Sequence, residues 1–229
     1  MTAIPTATPG AALAIIGISV AVTDLIAAAA TPDGGDDAAL IRQMLSGNDL
    51  AGLSNRPDDF ASGGGIDLIF GNGGDDRLTL GAGMDCAMGG FGKDILLGGS
   101  GDDLLAGNQA NDHLLAGAGR DMLDGGKGRD VMSGGLGADM FIFRPGDGHD
   151  RIADFNAGLD VISFGVPGGQ LADVTVTDDG TDAVVTYHDN VIRLTGQAGI
   201  SAADLDIRFG FNTSESRLDT FVNVFDFHG

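Results

Sequence analysis

A single cysteine, Cys86, excludes an intrachain disulfide, and no CxxC pair or Cys/His cluster is present for zinc. Basic residues are scarce: 12 lysines and arginines stand against 33 acidic residues, a formal charge of -21. Such a field repels nucleic acid and anionic membrane surfaces, whose phosphates require clustered cations. Glutamate is nearly missing too, with Glu215 the lone example, so the acidity is almost wholly aspartate. Short, stiff aspartate suits turns, where its carboxylate reaches nearby backbone or a hard cation. No long hydrophobic run supports a membrane span. The N-terminal stretch MTAIPTATPGAALAIIGISVAV has no positive charge ahead of its apolar part and is followed by Asp24, a poor match to a secretory signal. An HExxH helix is absent, and His113, His149, His188 and His228 are scattered. Residues 1–61 are too few for a usual catalytic domain, so the chain is expected not to be an enzyme.

What is present is a register of nine. From Ser62 the chain reads SGGGIDLIF, GNGGDDRLT, LGAGMDCAM, GGFGKDILL, GGSGDDLLA, GNQANDHLL, AGAGRDMLD, GGKGRDVMS and GGLGADMFI, ending at Ile142 with no insertion. Position six is always aspartate: Asp67, Asp76, Asp85, Asp94, Asp103, Asp112, Asp121, Asp130 and Asp139. Position eight is always apolar: Ile69, Leu78, Ala87, Leu96, Leu105, Leu114, Leu123, Met132 and Phe141. Weaker copies run back to about residue 44 through Asp49 and Asp58, the latter followed by Phe60. A flexible glycine-rich linker has no reason to hold this phase.

Position two is Gly or Asn, and position four is Gly65, Gly74, Gly83, Gly92, Gly101, Gly119, Gly128 or Gly137, with Ala110 as the exception. Six residues can therefore curl through left-handed backbone conformations, and three then run extended with position eight facing inward. Two units make one coil with two facing parallel sheets. Glycine turns present carbonyl oxygens, and stacking unit n on unit n+2 brings in an aspartate from each. The result is an all-oxygen cage suited to Ca²⁺. Seven such pairings among nine units predict about five to seven ions. The turn at Gly107–Asp112 lacks its position-four glycine and is expected to build weaker sites.

Residues 62–142 resemble the RTX family, whose calcium-binding repeat is G-G-x-G-x-D-x-U-x. The resemblance implies an all-β, right-handed parallel β-roll, a two-sheet solenoid, and secretion through a type I exporter. Residues 143–210 read as a short antiparallel β cap closing the open end of the solenoid. They resemble the segment after the repeats in serralysin-type proteases and alginate epimerases, with Gly148, Asp150, Ile152, Asp154 and Phe155 matching GxDxIxDF. That similarity implies that Asp147 and Asp150 help hold a terminal ion; two turn aspartates in a solvated loop is an equal reading. The tail, 211–229, is similar in character to an uncleaved export signal, or is an edge strand seeking a partner.

Residues 1–61 form a small N-terminal segment for capping or assembly. Ile16, Ile18, Val20 and Val22 alternate with slimmer residues as in a strand, AAAA at 27–30 favours a helix, and Asp36–Leu45 reads as a short helix. The odd-numbered units place Leu68, Phe70, Cys86, Met88, Leu104, Ala106, Met122, Met140 and Ile142 on one outer face with Asp124 the lone charge. A patch of that size should not face water. Either residues 1–45 fold back over it, or a second copy does. The expected role is a secreted structural or assembly protein of the cell surface or matrix, as a filament, layer or adhesin, with calcium, the exporter and a possible homo-oligomer as partners. The alternatives are a stand-alone secreted effector, membrane-active in one version, or the export module of a separate enzyme.

Overall fold

The computed structural model describes residues 14–15, 47–166 and 168–210. The repeats fold into strands Leu50–Gly52 (β2), Asp59–Gly64 (β3), Leu68–Gly73 (β4), Arg77–Ala82 (β5), Cys86–Phe91 (β6), Ile95–Ser100 (β7), Leu104–Gln109 (β8), His113–Ala118 (β9), Met122–Lys127 (β10), Val131–Leu136 (β11) and Met140–Phe143 (β12). A two-residue strand, Ala14–Ile15 (β1), pairs antiparallel with β2. The C-terminal part adds His149–Ile152 (β13), Val161–Phe164 (β14), Val174–Asp178 (β15), Ala183–Tyr187 (β16), Asn190–Leu194 (β17) and Asp206–Phe209 (β18). Helix is confined, among the described residues, to two three-residue 3₁₀ turns, and none of it is long and apolar enough to cross a membrane.

Successive repeat strands alternate between two nine-stranded sheets, so the chain is a parallel β-solenoid. The first sheet runs β1-β2-β4-β6-β8-β10-β12-β14-β18 and the second β15-β16-β17-β13-β11-β9-β7-β5-β3. Neighbouring repeat strands are in register with an offset of 18 residues, as in Ile69↔Ala87 and Leu78↔Leu96. Every position-eight side chain from Ile69 to Phe141 is fully buried between the sheets.

Two features differ from the sequence expectation. The nine repeat strands β3 to β11 are six residues long rather than three, because position one of the following unit also faces inward. Ser62, Leu80 and Ala116 occupy that second inward position and are fully buried. The solenoid also does not stop at Ile142. β14 and β18 continue the first sheet in parallel, and β13 and β17 continue the second, before β15, β16 and β17 turn antiparallel. Fully buried Ile152 and Ile162 extend the inward column, and Phe143, Phe164, Tyr187 and Phe209 finish it, with Phe164 and Tyr187 ring centroids 4.4 Å apart.

The outer face of the first sheet is only partly open: Leu68, Phe70, Met88, Met122 and Met140 are half-buried. Cys86, Leu104, Ala106 and Ile142 are only 3–5% exposed. Asp124, on the same face, is buried beside the guanidinium of Arg144. Burial, with the charge of Asp85 beside it, pushes the Cys86 thiol up to about 12, which leaves it a poor nucleophile. The strand or helix expected within residues 16–45 and the tail from 211 lie outside the described residues.

Candidate metal-binding edges

The turns that join the two sheets stack into two edges, each lined by position-six aspartates. On the first edge stand Asp49, Asp67, Asp85, Asp103, Asp121 and Asp139; on the second, Asp58, Asp76, Asp94, Asp112 and Asp130. The backbone forms a ladder at both. In each step the N–H of one aspartate donates to Oδ1 of the aspartate one coil further on. The first edge has six such steps, from Asp49→Asp67 to Asp139→Asp160, and the second has five, from Asp58→Asp76 to Asp130→Asp150, all at 2.8–3.0 Å.

From Asp67 to Asp139 on the first edge and from Asp76 to Asp130 on the second, Oδ1 is thus committed and Oδ2 is left over. Oδ2 of Asp49, Asp67, Asp76, Asp85, Asp94, Asp103, Asp112, Asp121, Asp130 and Asp139 is buried with no hydrogen-bond partner. Those of Asp76, Asp94, Asp103, Asp112, Asp130 and Asp139 point at position one of their own unit. A Cβ placed at Gly71, Gly89, Gly98, Gly107, Gly125 or Gly134 would lie 2.2–2.6 Å from the adjacent Oδ2, so glycine there makes room for the carboxylate. At Gly71, Gly98 and Gly107 the same point lies 2.4–2.6 Å from a carbonyl oxygen of the coil one step further on. Two acceptors face one spot with no donor between them, an arrangement that favours a cation. Among the described residues no three His, Cys, Asp or Glu side chains converge on a metal position. The donor set is aspartate plus backbone carbonyl, all hard oxygen, which fits Ca²⁺ rather than Zn²⁺.

Burial in this stack raises the carboxyl pKa values, partly offset, except at Asp49, by the backbone N–H that each accepts. Asp76, Asp85, Asp130 and Asp139 are pushed to about 6, Asp103 and Asp121 to about 7 and Asp112 to about 8, and Asp49 and Asp94 are also raised. Desolvation is the main cause, with the like charge of neighbouring aspartates adding to it.

Gly65, Gly74, Gly83, Gly92, Gly101, Gly119, Gly128 and Gly137 all have φ between 120° and 157°. Their role is close stacking: Cβ atoms at Gly83, Gly101 and Gly137 would come within 1.4–1.5 Å of the carbonyl oxygen of the position-four residue one coil earlier. Ala110 is held in the same left-handed region at φ 87°. A left-handed L-residue costs about 1–2 kcal/mol, so Ala110→Gly is expected to stabilise the calcium-loaded protein. Thermal unfolding in excess calcium should show a rise of about 2–4 °C for each kcal/mol recovered, and an unchanged or lower midpoint would contradict the strain at this turn.

Asp150 stands on the second edge as the partner of Asp130, and burial pushes it to about 8. Asp147 is not a rung: it lies in the adjoining loop, where its carboxylate accepts the Arg144 N–H and its carbonyl accepts the Gly128 N–H at 2.8 Å. Burial raises it to about 7. Two features were missed from sequence. Asp160 is the last rung of the first edge. A lesser ladder also runs at position five, where the N–H groups of Lys93, Arg120 and Arg129 donate to Asp75, Asp102 and Asn111 at 2.9 Å. The signal for it was Asp or Asn at position five, one coil before each of these basic residues.

The repeat pattern in the sequence matches a known repeat family. The model of the RTX calcium-binding nonapeptide repeat matches residues 54–85, 88–123 and 106–141. Curated proteins give no match. Among solved structures, the extracellular lipase LipA of Serratia marcescens is 21% identical with a TM-score of 0.32, covering 67% of this chain, which spans 38% of that one. A subunit of the mannuronan C5-epimerase of Azotobacter vinelandii is 26% identical with a TM-score of 0.33, covering 72% of this chain and 83% of that one. The coils at 54–85 and 88–141 of this chain thus match the RTX calcium-binding nonapeptide repeat.

Proposed function

We propose that the protein is a secreted calcium-binding β-roll that leaves the cell unfolded through a type I exporter, folds outside, and serves as a structural or assembly component of the cell surface or extracellular matrix. The observation that supports it most is the ten buried, unpartnered aspartate oxygens stacked along the two edges. Each costs free energy unless a positive charge meets it. Calcium, when bound, supplies that charge between adjacent coils. The residues that would hold it are Asp67, Asp76, Asp85, Asp94, Asp103, Asp112, Asp121, Asp130 and Asp139 with turn carbonyls. Extracellular modules bind calcium at about 0.1–1 mM, and a site at ten times its dissociation constant contributes about 1.4 kcal/mol. Folding is therefore tied to the compartment where calcium is plentiful.

The assembly part of the reading draws on the strand edges. Among the described residues, β3, β15 and β18 each have a strand partner on one side only. An open edge is a template for another strand, and end-to-end stacking of solenoids is a heterologous contact that grows into filaments. Size-exclusion chromatography and electron microscopy of the full chain, with and without millimolar calcium, test it. Calcium-dependent oligomers or filaments are expected; a compact monomer at high protein concentration would end the assembly role while leaving calcium-driven folding intact.

A further inference from the structure

We propose that the first edge carries one more calcium position than the nine repeats supply, at the junction with the cap, where Asp139 faces Asp160. This rests on the calcium reading of the edges above. Asp160 lies outside any glycine-rich repeat, yet the chain around it, FNAGLDVIS from Phe155, has Asn, Gly, Asp and Ile at positions two, four, six and eight. The structure treats it as a repeat. β14 pairs in register with β12 through Phe141↔Ile162, and Val161 N–H donates to the Asp139 carbonyl at 2.8 Å, as Met140 N–H does to Asp121. Asp139 N–H donates to Asp160 Oδ1 at 3.0 Å, continuing the ladder.

Two observations make this a site rather than a packing contact. Asp139 is 1% exposed and its Oδ2 has no partner. That oxygen rests against Gly134, 2.2 Å from where a Cβ would be, the same placement found on every glycine-lined coil before it. The carboxylate across from it is fixed by a different turn. Neither Asn156 nor Gly158 is left-handed; instead Leu159 and Asp160 N–H groups donate to the Asn156 carbonyl at 2.9 and 2.8 Å, and Asn156 N–H donates to Asp160 Oδ2 at 2.7 Å. Asp160 therefore enters with its orientation set by its own turn before any metal is present. Asp154 adds negative charge beside both residues while its carboxylate accepts from Gly134 N–H, Gly135 N–H and the Ser133 hydroxyl. The edge ends there because the next coil places Leu205 where an aspartate would stand, one residue before the Val161↔Asp206 pair.

Crystals of the full chain grown in calcium, with anomalous data collected at long wavelength, test this directly. A peak between Asp139 and Asp160 is expected in addition to peaks along the repeats. Peaks along the repeats with none at this junction overturn the proposal and leave the calcium reading standing; no peaks anywhere overturn both. In solution, Asp160→Asn is expected to lose one calcium per chain by equilibrium binding while keeping the β circular-dichroism signal at saturating calcium. An unchanged stoichiometry counts against the site.

Discussion

Removal of calcium at pH 8 is expected to abolish most of the β circular-dichroism signal, and millimolar calcium, but not magnesium, to restore it. The edges hold ten buried aspartate oxygens with no hydrogen-bond partner, stacked one coil apart. Like charges at that spacing in a poorly solvated stack repel strongly, and the glycine-rich turns add a heavy entropic cost to ordering. Magnesium demands octahedral geometry and gives up its waters reluctantly, so a cage of turn carbonyls and carboxylates does not suit it. Protons are the other way to quiet the stack. Asp76, Asp85, Asp103, Asp112, Asp121, Asp130, Asp139 and Asp150 have carboxyl groups raised to about 6–8 in the fold, against about 3.9 in an unfolded chain. The folded state thus binds protons more tightly, and its proton-linked stability is fully present below about pH 4 and lost as pH rises through about 6–8. In metal-free buffer the β signal is therefore expected to grow as pH falls from 8 towards 4. Full β signal at pH 8 in chelator, or a signal that declines steadily on acidification, would contradict the electrostatic account.

Much of this was legible because the repeat writes side chains at fixed places. Position six and position eight carry Asp and an apolar residue without exception, and the two periodicities suffice to place one at the edge and the other between the sheets. Position one stayed hidden for a physical reason: its job is to leave room for a carboxylate, so it is usually glycine and shows no apolar pattern. Only Leu80 and Ala116 betray it as inward. Their two units, with Asp85 and Asp121, still leave Oδ2 unpartnered, so a Cβ at position one does not remove the orphan oxygen. The end of the roll was hidden by phase. PGDGHDRIA, from Pro145, and FNAGLDVIS carry the same Asp and Ile as the repeats, but the extra residues Phe143, Arg144 and Asp154 break the count of nine. Hydrogen bonding restores what counting lost: Asp150 and Asp160 each accept from the aspartate one coil before. The pairing of β14 with β18 spans more than forty residues of chain and has no local signal at all.

Gly101→Ala is expected to be among the most damaging single changes in the roll, and Gly52→Ala nearly silent, although both exchange glycine for alanine in a solenoid coil. Gly101 has φ 126°, outside even the usual left-handed well, and a Cβ there would sit 1.5 Å from the Gly83 carbonyl oxygen. The obstructing atom is backbone, held by the coil below, so no side chain can swing aside. Strain of that backbone kind costs about 1–3 kcal/mol, and separating two coils to clear the clash lengthens the Asp85→Asp103 step of the ladder as well. Damage therefore spreads from one turn to the oxygens on either side. Gly52, in β2, has nothing within 4 Å of its would-be Cβ and an ordinary φ. Calcium titrations followed by circular dichroism compare the two. Gly101→Ala should raise the calcium midpoint several-fold or prevent folding at any calcium concentration, while Gly52→Ala stays within error of the parent. Equal midpoints for all three would mean that coil spacing is looser than the position-four contacts require, and the glycines would then be serving only the turn's dihedral angles.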